Sequence, residues 1–351
     1  MIGLLMLEER TDKMRYFIMD SQDIRVNLAT EEYLMNTADV SEPLLLFYIQ
    51  KPSVIIGRYQ NAYEEINLDY LREHHVVLTR RISGGGAVYD DLGNLSFSIV
   101  MQKDDTTFGD YQRVTMPILK GLQAMGARSA EMGGRNDLYI HGQKFSGNAM
   151  YTKKNRTYSH GTLMYDVDLS ILESVLTVSK EKFESKATKS VRKSVSNIKP
   201  YLDERYQTDT TEEFRDELLC QIYSVSSLNE ISDKQLKLTD KDNEEIQKLV
   251  DTRYGNDEWI FGETPEFHFN KRTRIPSVGI VDIHVSTNKG IIQELAIYGD
   301  FFGEQEIAIL QNQLIGEPYI YEVLKKRLQT FSVSDYILNL TNEELLSLLF
   351  S

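Results

Sequence analysis

Short apolar runs separated by turn signals dominate the first half of the chain. Residues 44–49 and 54–57 flank Lys51-Pro52 and read as two strands around a turn. Residues 15–19, 76–79, 95–100, 138–140, 145–151 and 161–167 carry the same signature, with His141-Gly142 as a tight turn. Two stretches differ: 66–75 reads as a helix, and 111–125 repeats apolar residues at helical spacing up to Gly126. Strands this closely spaced predict an α+β fold, with a mixed or antiparallel sheet and helices packed against it.

Beyond residue 207 the pattern changes. Residues 207–252 are acidic and helix-prone, and a polar stretch around Gly255 marks a boundary. Strands at 279–286 and 291–298, joined by 287–290, then precede helices around 304–314 and 319–328. The division expected is a catalytic domain over 14–254 and a small α/β accessory domain over 255–351. Residues 1–13 precede the first strand, which Met14 opens, and read as an extension.

Composition narrows the function. A chain of 351 residues with 41% hydrophobic residues can fill two cores. Its formal charge of −14 argues against general nucleic-acid binding, so any phosphate site is local. The single cysteine, Cys220, forms no internal disulfide, and six scattered histidines lack metal-ligand spacing. The apolar start runs into Glu8, Glu9 and Arg10 without a basic flank, unlike a secretory signal, and no long apolar run predicts a membrane span. A cytoplasmic protein is expected.

The chemistry concentrates in Arg80-Arg81-Ile82-Ser83-Gly84-Gly85-Gly86-Ala87-Val88-Tyr89, a loop between two predicted strands. Glycines let backbone N–H groups approach a ligand, and arginine forks pair with phosphate or carboxylate oxygens. A bare triple glycine is more often a surface turn; the sequence also lacks the Gly-Lys-Ser/Thr ending of a P-loop. Gly133-Gly134-Arg135-Asn136-Asp137-Leu138, Lys144-Phe145-Ser146-Gly147-Asn148-Ala149 and Ser159-His160-Gly161-Thr162-Leu163 follow. Each alone reads as a turn, an exposed strand residue or a structural histidine.

Together, and in this order, the four segments resemble the lipoate-protein ligase family. Ile56-Gly57-Arg58-Tyr59-Gln60-Asn61 and Ser190-Val191-Arg192-Lys193-Ser194 extend the resemblance, and Gly299-Asp300-Phe301-Phe302 is similar to the family's accessory domain. The resemblance implies the biotin/lipoate ligase-like fold and a two-step reaction. Lipoate and ATP give lipoyl-AMP, and an acceptor lysine then displaces AMP, with no tightly bound prosthetic group. It implies catalytic roles for Lys144 and Asp137, the latter with magnesium or the incoming amine. Adenylate contacts would come from Arg81, Gly86, Ala87, Val88, Tyr89, Asn136, Lys144, Thr162, Lys186 and Arg192. Lipoate contacts would come from Arg81, Ser83, Gly85, Gly86, Lys144 and His160. The basic stretch 176–195 would close over the adenylate. Implied acceptors are lipoyl domains of 2-oxoacid dehydrogenase acyltransferase subunits and the glycine-cleavage carrier protein, met by a monomer that needs neither nucleic acid nor membrane.

Asp90 stands where the family commonly has histidine, and Ser159 where relatives often carry a second histidine. Three alternatives share the fold. An octanoyl or lipoyl transferase, which moves an acyl group between carrier proteins without ATP, usually lacks the accessory domain. Its cysteine-dependent branch needs an activated thiol, whereas Cys220 sits among Leu218, Leu219 and Ile222, where a buried inert thiol is expected. A biotin ligase has a different glycine-rich motif. A non-catalytic binding protein has no need of Lys144.

Overall fold

Strand β6 (Asn94–Gln102) is chemically two-sided. Leu95, Phe97 and Ile99 enter the main apolar core, so strand alternation turns Ser96 and Ser98 to the opposite face. In the computed structural model, which describes residues 14–58, 62, 66–104, 109–133, 136–175, 195–207, 210–262, 267–299, 301, 303 and 305–350, this contrast extends across a whole sheet. Its other strands are β1 (Arg15–Ile18), β2 (Leu44–Tyr48), β7 (Glu131–Gly133), β8 (Asp137–Ile140), β9 (Gln143–Lys153) and β10 (Arg156–Met164). The order is β1-β2-β6-β10-β9-β8-β7, antiparallel throughout except for the parallel pair β1 and β2. The sheet is mixed and mostly antiparallel, as the strand spacing predicts.

Four helices of this unit matter most: α1 (Ile24–Thr37), α2 (Leu68–Glu73), α3 (Tyr111–Ala124) and α4 (Thr211–Tyr223). Val114, Ile118 and Leu122 of α3 and Phe214 and Leu218 of α4 join the core on the apolar face of the sheet. Each such side chain contributes about 1.5–3 kcal/mol relative to exposure. Helix α1 meets the polar face instead. Asp23 caps it by accepting from Arg25 N at 2.9 Å, and its buried positions include Ile24, Leu28 and Met35 along with the polar Asn27 and Glu31. Those polar residues break the apolar period, and for that reason the helix is absent from the sequence reading. Glu32, next along α1, accepts from Tyr254 Oη at 2.9 Å and pairs with Arg253, tying the helix to residues 250–254.

A smaller sheet of order β4-β3-β5 joins β3 (Ser53–Ile56), β4 (Val77–Arg80) and β5 (Val88–Asp90). Residues 44–49 and 54–57 are strands, as expected, but they are not partners of one another. β2 pairs with β1 and β6, whereas β3 pairs with β4 and β5. The Lys51-Pro52 turn therefore crosses from one sheet to the other, and Lys51 N–H donates to Gln22 O at 3.0 Å within it.

From Asp257 onward the chain forms a second compact unit. β11 (Phe267–Ile275), β12 (Gly279–Asn288) and β13 (Ile291–Gly299) form an antiparallel sheet, followed by α5 (Ile307–Leu314), α6 (Tyr321–Leu328) and α7 (Asn342–Leu349). Val281, Ile283, Leu295, Leu310, Leu324 and Leu345 belong to its own core. β11 and α7 have no counterpart in the sequence reading: the charged run Asn270-Lys271-Arg272-Thr273-Arg274 obscures the first. A Thr341/Glu344 capping box marks the start of the second.

Residues 1–13 and 176–194, with Lys186 and Arg192, lie outside the described residues. Among the described residues no helix is long and apolar enough to cross a membrane.

Candidate active site

The polar face of the large sheet floors a cleft. Tyr48 of β2, Ser96 of β6, His160 and Thr162 of β10, Ala149 of β9 and Asp137 of β8 contribute to it. Strands lie about 4.8 Å apart, so the path from β2 to β8, four gaps away, covers roughly 19 Å. Leu28 of α1, Ile55 of β3, and Gly85, Gly86, Ala87, Val88 and Asp90 complete the walls. Counted out to its open mouth, the space is about 650 Å³.

Arg81 organises the glycine loop. Its guanidinium donates to the carbonyls of Ile55 (3.1 Å), Gly84 (2.8 Å) and Gly86 (2.7 Å), and Nε donates to Ser83 Oγ at 3.1 Å. Burial pulls its pKa down to about 10, which leaves it charged at neutral pH. Gly85 has φ +99°, and a Cβ on Gly57 would lie 2.0 Å from Gly85 O. The two backbone segments touch, which only glycine at 57 permits. Gly57→Ala is therefore expected to displace the loop and weaken ATP and lipoate binding at least tenfold, measurable by calorimetry; wild-type affinities would show that the loop position is unimportant.

At the β8/β9 end of the sheet, Lys144 Nζ lies 2.9 Å from Asp137 Oδ1, both partly exposed. A register shift brings them to one face. Asp137 faces Gly147 and Tyr139 faces Lys144, with the irregularity between Leu138 and Tyr139. Lys144 and Gly147 are three residues apart, so an unbroken strand would send them to opposite faces; the bulge reverses that and aims Lys144 into the cleft. Gly147 provides the room, since a Cβ there would sit 3.0 Å from Nζ. Asn136 and Asn148 lock the adjoining turn through reciprocal side-chain bonds to each other's carbonyls. Ser196 N–H donates to Lys144 O at 2.9 Å, which fixes Val195 and Ser196 directly beside the lysine.

Between the two ends runs a buried relay. His160 Nδ1 is 3.0 Å from Glu31 Oε2, and Nε2 is 2.7 Å from Ser83 Oγ. The other Glu31 oxygen accepts from Tyr48 Oη at 2.8 Å. A carboxylate only accepts, so Nδ1 carries the hydrogen, and in a neutral ring Nε2 accepts from Ser83. This fixes the imidazole edge that lines the cleft.

Asp90 is buried at the β2/β6 end. Gln50 Nε2 donates to its Oδ2 at 2.6 Å and to Ser96 Oγ at 3.0 Å. Desolvation is the main cause that pushes its pKa up to about 7, and Asp91 adds to it. An acid raised from the ordinary 3.8 holds its proton longer in the folded state, so stability falls as pH rises from 3.8 to 7 and levels off above. The span corresponds to on the order of 4 kcal/mol. Asp90→Asn should remove this slope. Melting temperatures across that window are expected to show the variant gaining on the wild type as pH rises; parallel curves would mean that Asp90 ionises freely.

Ten of the residues marked by sequence line this one cleft: Arg81, Gly85, Gly86, Ala87, Val88, Asn136, Asp137, Lys144, His160 and Thr162. Ser83 is buried and meets the cleft through His160. Tyr89 is buried on β5, opposite Val54, and is not among the lining residues. Leu28, Glu31, Tyr48 and Ser96 escaped the sequence reading. The signal for Leu28 and Glu31 was Asp23 ahead of Ile24, Leu28 and Met35; Ser96 and Ser98 alternate with Leu95, Phe97 and Ile99.

The family model for the lipoyl protein ligase A/B catalytic domain matches residues 23–223, and that for the bacterial lipoate protein ligase C-terminus matches 264–349. Lipoate-protein ligase LplJ of Bacillus subtilis is 41% identical over 335 residues, 95% of this chain and 99% of its own length. The lipoate protein ligase of Thermoplasma acidophilum, described as bi-partite and solved in a study of its lipoylation system with the E2 lipoyl domain, is 30% identical with a TM-score of 0.62 over 73% of this chain and 98% of that one. A lipoate-protein ligase A bound with ATP is 27% identical with a TM-score of 0.58, over 70% and 98%. The chain belongs to the lipoate-protein ligase family and is an ATP-dependent ligase that attaches lipoate to protein.

Proposed function

We infer that this cleft carries out both half-reactions, with the phosphates at the β8/β9 end and the acyl chain towards β2. The bulge that aims Lys144 beside Asp137 carries the assignment. A carboxylate of lipoate attacks the α-phosphorus of ATP, pyrophosphate leaves, and the mixed anhydride lipoyl-AMP remains. Negative charge grows on the phosphoryl oxygens and later on the tetrahedral carbonyl oxygen. A fixed ammonium at Lys144 and the amides of Gly85–Gly86 answer that charge without reorganisation. The lysine amine of the acceptor then attacks the carbonyl, and AMP departs. Asp137 holds Lys144 in place and orients the incoming amine. Lys186 and Arg192 would reach the nucleotide, and Ser196 anchors the chain that follows them beside Lys144.

Magnesium suits this site as a companion of ATP, not as an ion caged by protein. Among the described residues no group of three His, Cys, Asp or Glu side chains converges, and Asp137 offers its Oδ2, whose partner is the distant Tyr139 Oη at 3.4 Å. Bound with ATP, the ion would neutralise phosphate charge. The thioester route has little support: Cys220 lies on α4, which packs on the opposite face of the sheet, and burial pushes its thiol pKa up.

Residues 14–254 carry the chemistry in this reading, and 255–351 have an accessory role. The acceptors are lipoyl domains of 2-oxoacid dehydrogenases and the glycine-cleavage carrier, met in the cytoplasm by a monomeric enzyme. A net charge of −14 repels acidic carriers at range, so docking depends on a local basic surface. The test is incubation of the full chain with ATP, lipoate and an isolated lipoyl domain. Mass spectrometry should find one lipoyl adduct on the acceptor lysine, and an unmodified acceptor would overturn the reading.

A further inference from the structure

We propose that Asp90 is a specificity-determining residue that selects acyl tails bearing sulfur far from the carboxylate over a saturated chain such as octanoate. The inference rests on the lipoate reading above. Asp90 lines the cleft towards β2 and β6, remote from Lys144, where the lining also includes the facing pair Tyr48 and Ser96 and the pair Ile55 and Val88 of its own small sheet. An acyl chain activated beside Lys144 and laid across the sheet brings its far end to this pocket. Apolar walls alone would accept any chain of the right length. A carboxyl group among them does not.

Asp90 is held in place. Gln50 Nε2 bonds both Asp90 Oδ2 and Ser96 Oγ, and Asn94 Nδ2 bonds Ser96 Oγ at 3.0 Å. The carboxyl group therefore cannot rotate away from whatever fills the space. Two further acceptors of the same cluster, Gln50 Oε1 and Asn94 Oδ1, are buried without a partner. A saturated tail laid against the Asp90 carboxyl and Ser96 Oγ, which do line the cleft, offers them no partner, which is the costly way to bury a polar atom. A dithiolane ring presents polarisable sulfur, a weak acceptor for a protonated carboxyl, and the reduced dithiol presents S–H donors for an ionised one. Burial raises its pKa, so the protonated, donating form is within reach near neutral pH. Sites that discriminate in this way do so because the wrong ligand leaves a polar group unpaired.

The experiment measures steady-state pyrophosphate release by the full chain with ATP, an isolated lipoyl domain as acceptor and either lipoate or octanoate, giving a ratio of kcat/KM values. The wild type should favour lipoate. Asp90→Leu removes the polar group and should move the ratio towards octanoate by roughly tenfold, the usual effect of relieving one unmatched buried group. Asp90→Asn, still polar, should stay within about threefold of the wild-type ratio. Ser96→Ala should shift the ratio in the same direction as leucine by a smaller factor, and serves should the leucine variant fail to fold. A purely structural role would lower both activities together and leave the ratio alone. An unchanged ratio in folded Asp90→Leu, or in Ser96→Ala if leucine does not fold, overturns the inference while the ligase reading stands. No pyrophosphate from the wild type with either acid removes the ligase reading, and the inference with it.

Discussion

Replacing Lys144 with alanine is expected to slow lipoyl-AMP formation by about 2–4 kcal/mol, roughly 30- to 900-fold, the range for losing one preorganised donor to a developing negative charge. The ammonium reaches the cleft because of the bulge opposite Tyr139, and Asp137 at 2.9 Å keeps it there. The ion pair is partly exposed, so its loss should cost the fold no more than about 1 kcal/mol. The variant should therefore remain folded and still bind lipoate. Single-turnover kinetics separate the effects: a slow chemical step with nearly normal lipoate affinity agrees with an electrostatic role for Lys144 in the transition state. Near-normal pyrophosphate release from a folded variant would remove Lys144 from the chemistry.

The second large effect is expected at Arg81, from loss of architecture rather than of a ligand contact. Its guanidinium spends four bonds on Ile55 O, Gly84 O, Gly86 O and Ser83 Oγ. Lysine carries its donors on one nitrogen and cannot reach all four. At least two buried acceptors lose a charged partner in Arg81→Lys, each bond worth about 1.5–3 kcal/mol, so a loss near 3 kcal/mol is expected. For a unit of this size that lowers the melting temperature by roughly 6–12 °C. Binding of ATP and lipoate should weaken together, because the same loop lines the cleft for both. A variant with wild-type melting and affinities would show that the loop needs no brace.

The sequence revealed the chemistry better than the framework that holds it. The glycine loop, Asp137, Lys144, His160 and Thr162 come from separate segments yet line one cleft. Their motifs are legible because backbone approach and fixed charge need particular residue types. Helix α1 was not legible, since Asn27 and Glu31 on its buried side break the apolar period; with it went Glu31, which orients His160. The turn at Lys51-Pro52 resembles a hairpin locally, and only the separate partners of β2 and β3 reveal a crossing between sheets. The bulge beside Lys144 is likewise a property of pairing: read as an unbroken strand, the segment would put Lys144 and Gly147 on opposite faces. Lys186 and Arg192 belong to residues outside those described.

Lipoate activation in the absence of any acceptor is the measurement that bears most directly on the central claim. The enzyme, ATP and lipoate are mixed, and the nucleotide products and the bound intermediate are identified. Attack at the α-phosphorus predicts pyrophosphate, no ADP, and about one lipoyl-AMP held per chain. Adding a lipoyl domain should then release AMP as its lysine is modified. Release of ADP and phosphate, or transfer to the acceptor without any adenylate, would contradict the account.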